Sequence, residues 1–206
     1  MKKYYFPVIS SLLLIFSIVA FSDNLFTDIG QKSNSDPKFI IHGLLMFAWF
    51  GTFAAQSYFI LRKKYKSHLG WGKIGFVLSI GVFLSTLYVF IVVYKGWSSM
   101  EPFVRANRLL MLSFATFILL AYLQRRNAIR HKRFVFWAIA LPIEPIMGRV
   151  SDILQVENWV LFYILGWHIL FASFFLYDRL TLKKIHPISW IGLGWFYVAW
   201  SISLYT

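Results

Sequence analysis

The stretch RHKRFVFWAIALPIEPIMGRVSD, residues 130–152, decides how the chain is interpreted. It is mostly apolar, and a transmembrane helix needs an apolar run of about 20 residues to cross the bilayer core. One ionisable side chain, Glu144, lies inside the run between Pro142 and Pro145. Because proline has no backbone N–H and clashes with the preceding turn, the two prolines predict a kink. The stretch therefore predicts a membrane span with a charge in its interior.

The composition of the whole chain indicates that its main solvent is lipid. Of 206 residues, 59% are hydrophobic and only 14% are charged, which is too apolar for a soluble domain of this length. The basic residues behind the net charge of +13 lie in short loops, so they indicate membrane orientation and argue against a nucleic-acid partner. The chain has no cysteine, which excludes disulfides, iron–sulfur clusters and thiolate metal sites.

Apolar runs of helical length recur along the chain, each close to the about 20 residues that a span requires. The first run is interpreted as a retained helix rather than a signal peptide, because the aromatic start at Tyr4, Tyr5 and Phe6 is atypical of a leader. We expect one all-α domain over residues 1–206, an integral membrane bundle of about seven spans. These are residues 4–22, 40–61, 74–94, 108–123, 134–151, 158–177 and 187–205.

The loops between these runs alternate in charge. Three are strongly basic and three are mixed or acidic; in chain order the basic loops are 62–73, 124–133 and 178–187, and the others are 22–38, 95–108 and 149–158. By the positive-inside rule, the N-terminus and the basic loops are cytoplasmic and the C-terminus lies outside. The pattern predicts a protein of the inner (cytoplasmic) membrane, with anionic lipid headgroups as partners at the cytoplasmic face.

Three histidines and one carboxylate fall at the predicted cytoplasmic ends of the spans: His68, His131, Asp178 and His186. Imidazoles and a carboxylate are ligands that suit zinc or ferrous iron, and bundles hold such ions with residues from facing helices. The first hypothesis is therefore a metal-binding, and in one version redox, protein with its site at this face. The alternative is that these histidines belong to a basic interface that contacts lipid phosphates.

On the outer side, Glu144 is the most informative residue. A carboxylate inside a span should face the bundle and have a cationic partner, so we predict that Glu144 is buried and lies within reach of Arg149 or Arg105. A second hypothesis is an outward-opening pocket for a small solute or lipid. Its lining would combine Glu144 and Arg149 with the stripe that recurs every seven residues on the second span: His42, Trp49 and Gln56. Equally, Gln56 could bond to a neighbouring helix, and Glu144 could serve packing alone.

The sequence also bears on larger cofactors. His42 and His168 differ in depth by roughly 12 Å at about 1.5 Å per residue, so they cannot ligate one haem. A haem between two of His68, His131 and His186 stays open but would lie unusually shallow. Retinal is excluded because the last span has no lysine. We find no nucleotide-binding loop, serine-nucleophile motif or HExxH motif, so the sequence leaves open whether the protein is an enzyme.

From the second span onward the chain resembles a group of uncharacterised bacterial multi-pass membrane proteins. It also resembles the domain-of-unknown-function family 2306, although Leu69 follows His68 where that family has a basic residue. The resemblance is carried by His42 with FAWFGTFAAQ, SHLGWGKIG around His68, RHKR around His131, Arg149, LYDR around Asp178, and IHP at His186. It implies a helical bacterial membrane protein and marks these residues, but it implies no reaction. A third hypothesis is thus an accessory or assembly subunit of a membrane complex.

Overall fold

The computed structural model describes residues 2–206, and that part of the chain contains eight α-helices and no strand. The all-α prediction is confirmed. Short 3-10 and π turns fill some of the connections. In chain order the helices are α1 (Tyr5–Ala20), α2 (Pro37–Leu61), α3 (Tyr65–Val92), α4 (Pro102–Leu123), α5 (Ala128–Ala140), α6 (Glu144–Ile153), α7 (Trp159–Leu182) and α8 (Pro187–Tyr205).

The protein is a multi-pass membrane protein. Within residues 2–206, length and apolar composition qualify six helical segments to cross a membrane, and α5 and α6 together form one of them. The seventh predicted span is α8, which has 19 residues and no charged side chain and is therefore about 28 Å long. Large apolar side chains cover the outside of the bundle, as Val77, Ile169 and Ile191 illustrate, and these contact the lipid.

The opening stretch forms a broken helix rather than a kinked one. α5 ends at Ala140, a 3-10 turn follows over Leu141–Ile143, and Pro142 has the non-helical angles φ −89° and ψ 36°. α6 then begins at Glu144 with Pro145 in its first turn, where the missing N–H needs no partner. This broken span is the most buried of the six, with 67% of its most apolar window inside the protein. It is therefore the centre of the bundle.

Aromatic packing holds α5 at that centre. The rings of Phe136 and Phe174 stack with centroids 3.7 Å apart, and Trp137 is fully buried next to Phe171. Gly192 on α8 lies directly against the Trp137 indole, where a Cβ atom would collide with the ring. A glycine is required there because only a bare backbone lets α8 approach so closely. These contacts join α5 to α7 and α8.

Local sequence signals set the helix starts. The side chain of Asp36 accepts a hydrogen bond from the N–H of Lys38 at the start of α2. Asn127 accepts from two backbone N–H groups at the start of α5, and Asn158 does the same for one at α7. Such caps satisfy donors that the first helical turn leaves free.

Candidate functional site

Asp178, one of the four predicted metal ligands, is a structural acceptor. Its side chain is fully buried and forms an ion pair with the equally buried Arg133 of α5. The same carboxylate accepts hydrogen bonds from the Ser189 hydroxyl at 2.7 Å and from the His186 backbone N–H at 3.0 Å. Its oxygens therefore join α5, α7 and the start of α8, and its charge is already compensated.

His186, the second predicted ligand, also has a structural role. Its Nδ1 accepts a hydrogen bond from the backbone N–H of Ile188 at 3.2 Å, so the ring caps α8. Burial of the imidazole, together with the positive charge of Arg133, lowers the pKa of His186 below its usual range. Across residues 2–206 the structure brings no three His, Asp or Glu side chains together in a group that could hold a metal ion. The predicted set of His68, His131, Asp178 and His186 is thus not assembled, because Arg133 and the α8 cap occupy two of its members.

His68 and His131 do meet. They lie near the starts of α3 and α5, with ring centroids 6.3 Å apart and ring planes at 86°, and both are half-buried. The Nδ1 of His131 lies 2.9 Å from the backbone carbonyl oxygen of Ala121. A carbonyl can only accept, so Nδ1 carries the hydrogen. In the neutral ring, Nε2 of His131 is therefore an unprotonated acceptor.

Gln56 of α2 fixes His68 in the opposite tautomer. The Gly72 N–H can only donate, so it must meet the amide oxygen of Gln56, and the two atoms are 2.8 Å apart. The amide NH₂ then donates to the backbone oxygen of His68 at 3.1 Å and faces the Nδ1 of the same residue. Because Nδ1 accepts, the neutral His68 ring carries its hydrogen on Nε2. In a regular helix the Gly72 N–H pairs with the His68 carbonyl four residues earlier. Gln56 contacts both of these groups and also orients the His68 imidazole.

The pair consequently offers one donor and one acceptor. The Nε2–H of His68 can donate, and the Nε2 of His131 can accept, each held by a different helix. Basic residues flank the two histidines in the sequence at the starts of α3 and α5; they are Lys64, Lys66, Arg130 and Lys132. The donor and the acceptor together suit a small polar molecule that both accepts and donates a hydrogen bond.

The predicted outward pocket is not brought together. His42 bonds through Nδ1 to the Ser85 hydroxyl at 3.2 Å, and Trp49 packs edge to face on Phe114. Gln56 is bonded to His68, on the predicted cytoplasmic side. The separation along α2 follows from helix geometry, since residues 42 and 56 are about 21 Å apart at about 1.5 Å per residue.

The prediction for Glu144 is half right. Burial is confirmed, because only 5% of the residue is exposed. Its partner, however, is the amide of Asn107 on α4, neither Arg149 nor Arg105. Arg149 instead donates to Asp23 at 3.2 Å and to Asn24 at 2.9 Å, in the segment after α1.

The reason for the changed partner is the position of the helix break. It precedes Glu144, so Glu144 and Arg149 both belong to the regular helix α6. Residues five apart point about 140° apart on such a helix. No kink narrows that angle. The two side chains accordingly face different neighbours, and Glu144 lies against α4.

Two of these partners, Arg133 and Asn107, are not clearly marked by the sequence. Arg133 was one of several basic residues in RHKR, and the signal that singles it out is its place next to the apolar run. Asn107 lies in RANR between Arg105 and Arg108, which are the more obvious partners for a carboxylate by charge. The ring nitrogens of His168 both have partners within the bundle, the Ile164 carbonyl and the Tyr197 hydroxyl.

Comparison of the chain with protein-family models, with curated protein sequences and with solved structures found no match. The fold and the site define the class: a multi-pass helical membrane protein with a paired imidazole site at one end of its bundle. Any narrower function has to be argued from the residues of that site.

Proposed function

We propose that this membrane protein binds a small polar molecule between His68 and His131, and that the molecule gives up a proton to the Nε2 of His131 while the Nε2–H of His68 donates to the oxygen left behind. The function is proton-linked handling of a small solute at the cytoplasmic end of the bundle, in the orientation that the basic loops predict. The observation that carries the proposal is the opposite placement of the ring hydrogens, which Gln56 and the Ala121 carbonyl impose.

The pair selects for ligands by hydrogen bonding. A bound molecule has to accept from the Nε2–H of His68 and donate to the Nε2 of His131. Water, an alcohol or a neutral carboxylic acid meets both requirements. Histidine suits the transfer step because its unperturbed pKa of about 6.5 lets it take up and release protons near neutral pH.

A metal ion is the second candidate, now reduced to these two ligands. Each ligating imidazole has to offer an unprotonated nitrogen, and the Gln56 contact leaves only His131 in that form. Catalytic zinc sites have about three protein ligands and structural sites about four, so two imidazoles would be a sparse set. Haem ligation meets the same obstacle, since both axial imidazoles must present a lone pair. One observation favours a metal: His131 donates a hydrogen bond to a backbone carbonyl, as metal-ligating histidines commonly do.

The first experiment measures the tautomers of the two rings. NMR of purified protein with ¹⁵N-labelled histidine, in detergent micelles, shows which nitrogen of each ring carries the hydrogen. We expect Nε2–H for His68 and Nδ1–H for His131. Gln56→Ala should release His68 from its tautomer, whereas Gln155→Ala, at an exposed glutamine after α6, should not. If both rings show the same tautomer in the wild type, the proposal fails.

Proton transfer is measured in proteoliposomes that contain a pH-sensitive dye. We expect His68→Asn and His131→Asn to reduce proton uptake on the order of a hundredfold, because a positioned acid–base group contributes about 10²–10⁴ in rate. His168→Asn is the matched control, a histidine whose ring nitrogens are both already bonded. Equal uptake in all variants contradicts the proposal. In the same preparations, zinc or iron that is lost with His131, or a Soret band, would establish the metal or haem candidate instead.

A further inference from the structure

Glu144 poses an electrostatic problem that the histidine pair does not address. The carboxyl group is buried in a membrane span, and the contact assigned to it is the neutral amide of Asn107. A buried carboxylate without a compensating positive charge is strongly unfavourable in such surroundings. The group therefore requires a proton or another cation.

None of the nearby cationic side chains supplies that charge. On α4, Arg108 donates to the Phe90 carbonyl and lies over the rings of Phe90 and Tyr94. Arg105, also on α4, forms no ion pair with the carboxylate, and on α6 Arg149 is paired with Asp23. From α7 the group that approaches is the Tyr163 hydroxyl, which lies next to Gly148 one turn along α6. Asp152, two turns along α6, adds only negative charge.

The helix break lies directly before this carboxyl group. Pro142 has no N–H and has non-helical angles, so the span cannot continue as one regular helix through this point. Ala138 and Leu141 on the near side of the break are fully buried, so water does not reach it freely. Interrupted membrane helices are a recurring location of cation sites in membrane proteins.

We propose that Glu144 and Asn107 form, next to this break, a binding site for a small monovalent cation, a proton or a sodium ion. The amide oxygen of Asn107 is available to such an ion, since the contact to Glu144 uses its NH₂. The site lies in the half of the bundle that the topology predicts to face outward. It is independent of the His68–His131 proposal, and either can fail alone.

The first test measures thermal unfolding in detergent. The melting temperature of the wild type is followed against sodium chloride, with choline chloride at equal ionic strength as reference, and against pH. A bound cation stabilises the folded state, so Tm should rise with the occupying ion. Glu144→Gln should abolish the response. Glu157→Gln, an exposed carboxylate after α6, should retain it.

The second measurement separates the two cations and does not depend on the folding of Glu144→Gln. Infrared spectra of the wild type are recorded for the carbonyl stretch of a protonated carboxylic acid, with Asn107→Ala as comparison. A band that shifts in Asn107→Ala, without a sodium response, identifies a proton. A sodium-dependent rise in Tm together with loss of that band identifies sodium. A wild type that shows neither a protonated carboxyl band nor a sodium response, or a sodium response that persists in Glu144→Gln, overturns the proposal.

Discussion

The buried ion pair between Arg133 and Asp178 gives the sharpest test of how the bundle is held together. Both side chains are completely inaccessible, and the pair joins α5 to α7 across 45 positions of sequence. We expect Asp178→Asn to lower the free energy of unfolding by about 3–5 kcal/mol, because the guanidinium of Arg133 is then buried without a counter-charge.

The magnitude follows from the contacts of the carboxylate. Asparagine can keep an oxygen at the Oδ2 position, which accepts from the Ser189 hydroxyl, the His186 N–H and the Arg133 Nε. The contact from the Arg133 Nη2 to Oδ1 is lost, because the NH₂ group that replaces Oδ1 cannot accept. One hydrogen bond to a charged group contributes about 1.5–3 kcal/mol, and the guanidinium left buried without a counter-charge raises the total to the expected about 3–5 kcal/mol.

Unfolding is followed by tryptophan fluorescence as sodium dodecyl sulfate is added to protein in mixed micelles. The control is the double variant Arg133→Met with Asp178→Leu, which replaces the pair by apolar side chains. We expect it to be considerably more stable than Asp178→Asn, since removal of both charges leaves none uncompensated. The reasoning is refuted if Asp178→Asn costs under about 1 kcal/mol, the range of an exposed ion pair, or if the double variant is the less stable of the two.

Three further changes test other contacts, each by thermal or detergent unfolding. Gly192→Ala should destabilise by about 1–3 kcal/mol, because the new methyl group collides with the Trp137 ring and forces the two helices apart. Asn127→Ala should cost about 1 kcal/mol, since two N–H groups at the start of α5 lose their cap. The lowered pKa of His186 means that its unfolded form binds protons more readily, so its contribution to stability is present above about pH 6.5 and is lost as pH falls. His186→Asn keeps a capping side chain for Ile188 and should remove that part of the pH dependence.

Each of these expectations has a clear contrary result. For Gly192→Ala, it is an unchanged unfolding transition, and Gly194→Ala is the control because a Cβ atom there meets open space. For Asn127→Ala, it is a loss no greater than that of Asn127→Asp, which retains the cap. For His186→Asn, it is a stability profile between pH 5 and pH 8 that superimposes on that of the wild type.

Part of the candidate site could be predicted from the sequence. His68 and His131 both lie at cytoplasmic span ends, which predicts that the two rings lie at one depth and can meet. Their hydrogen-bond partners were not. Gln56 was predicted either to line an outward pocket or to bond to a neighbouring helix, and the structure shows the second. The Ala121 carbonyl carries no signal in the sequence at all, because a backbone oxygen belongs to every residue.

The same division holds for the whole protein. The sequence by itself determined the membrane class, the helices and the burial of Glu144, because lipid leaves backbone groups no partner outside a helix and disfavours a lone carboxylate. The prolines predicted a kink in the fifth span, and the structure has a full break there. Only the tertiary structure decided which side chains meet: Asp178 with Arg133, Glu144 with Asn107, and Arg149 with Asp23. The physical reason is that contacts between helices depend on rotation about each axis and on where a helix breaks, and a break three residues earlier or later turns a side chain toward another neighbour.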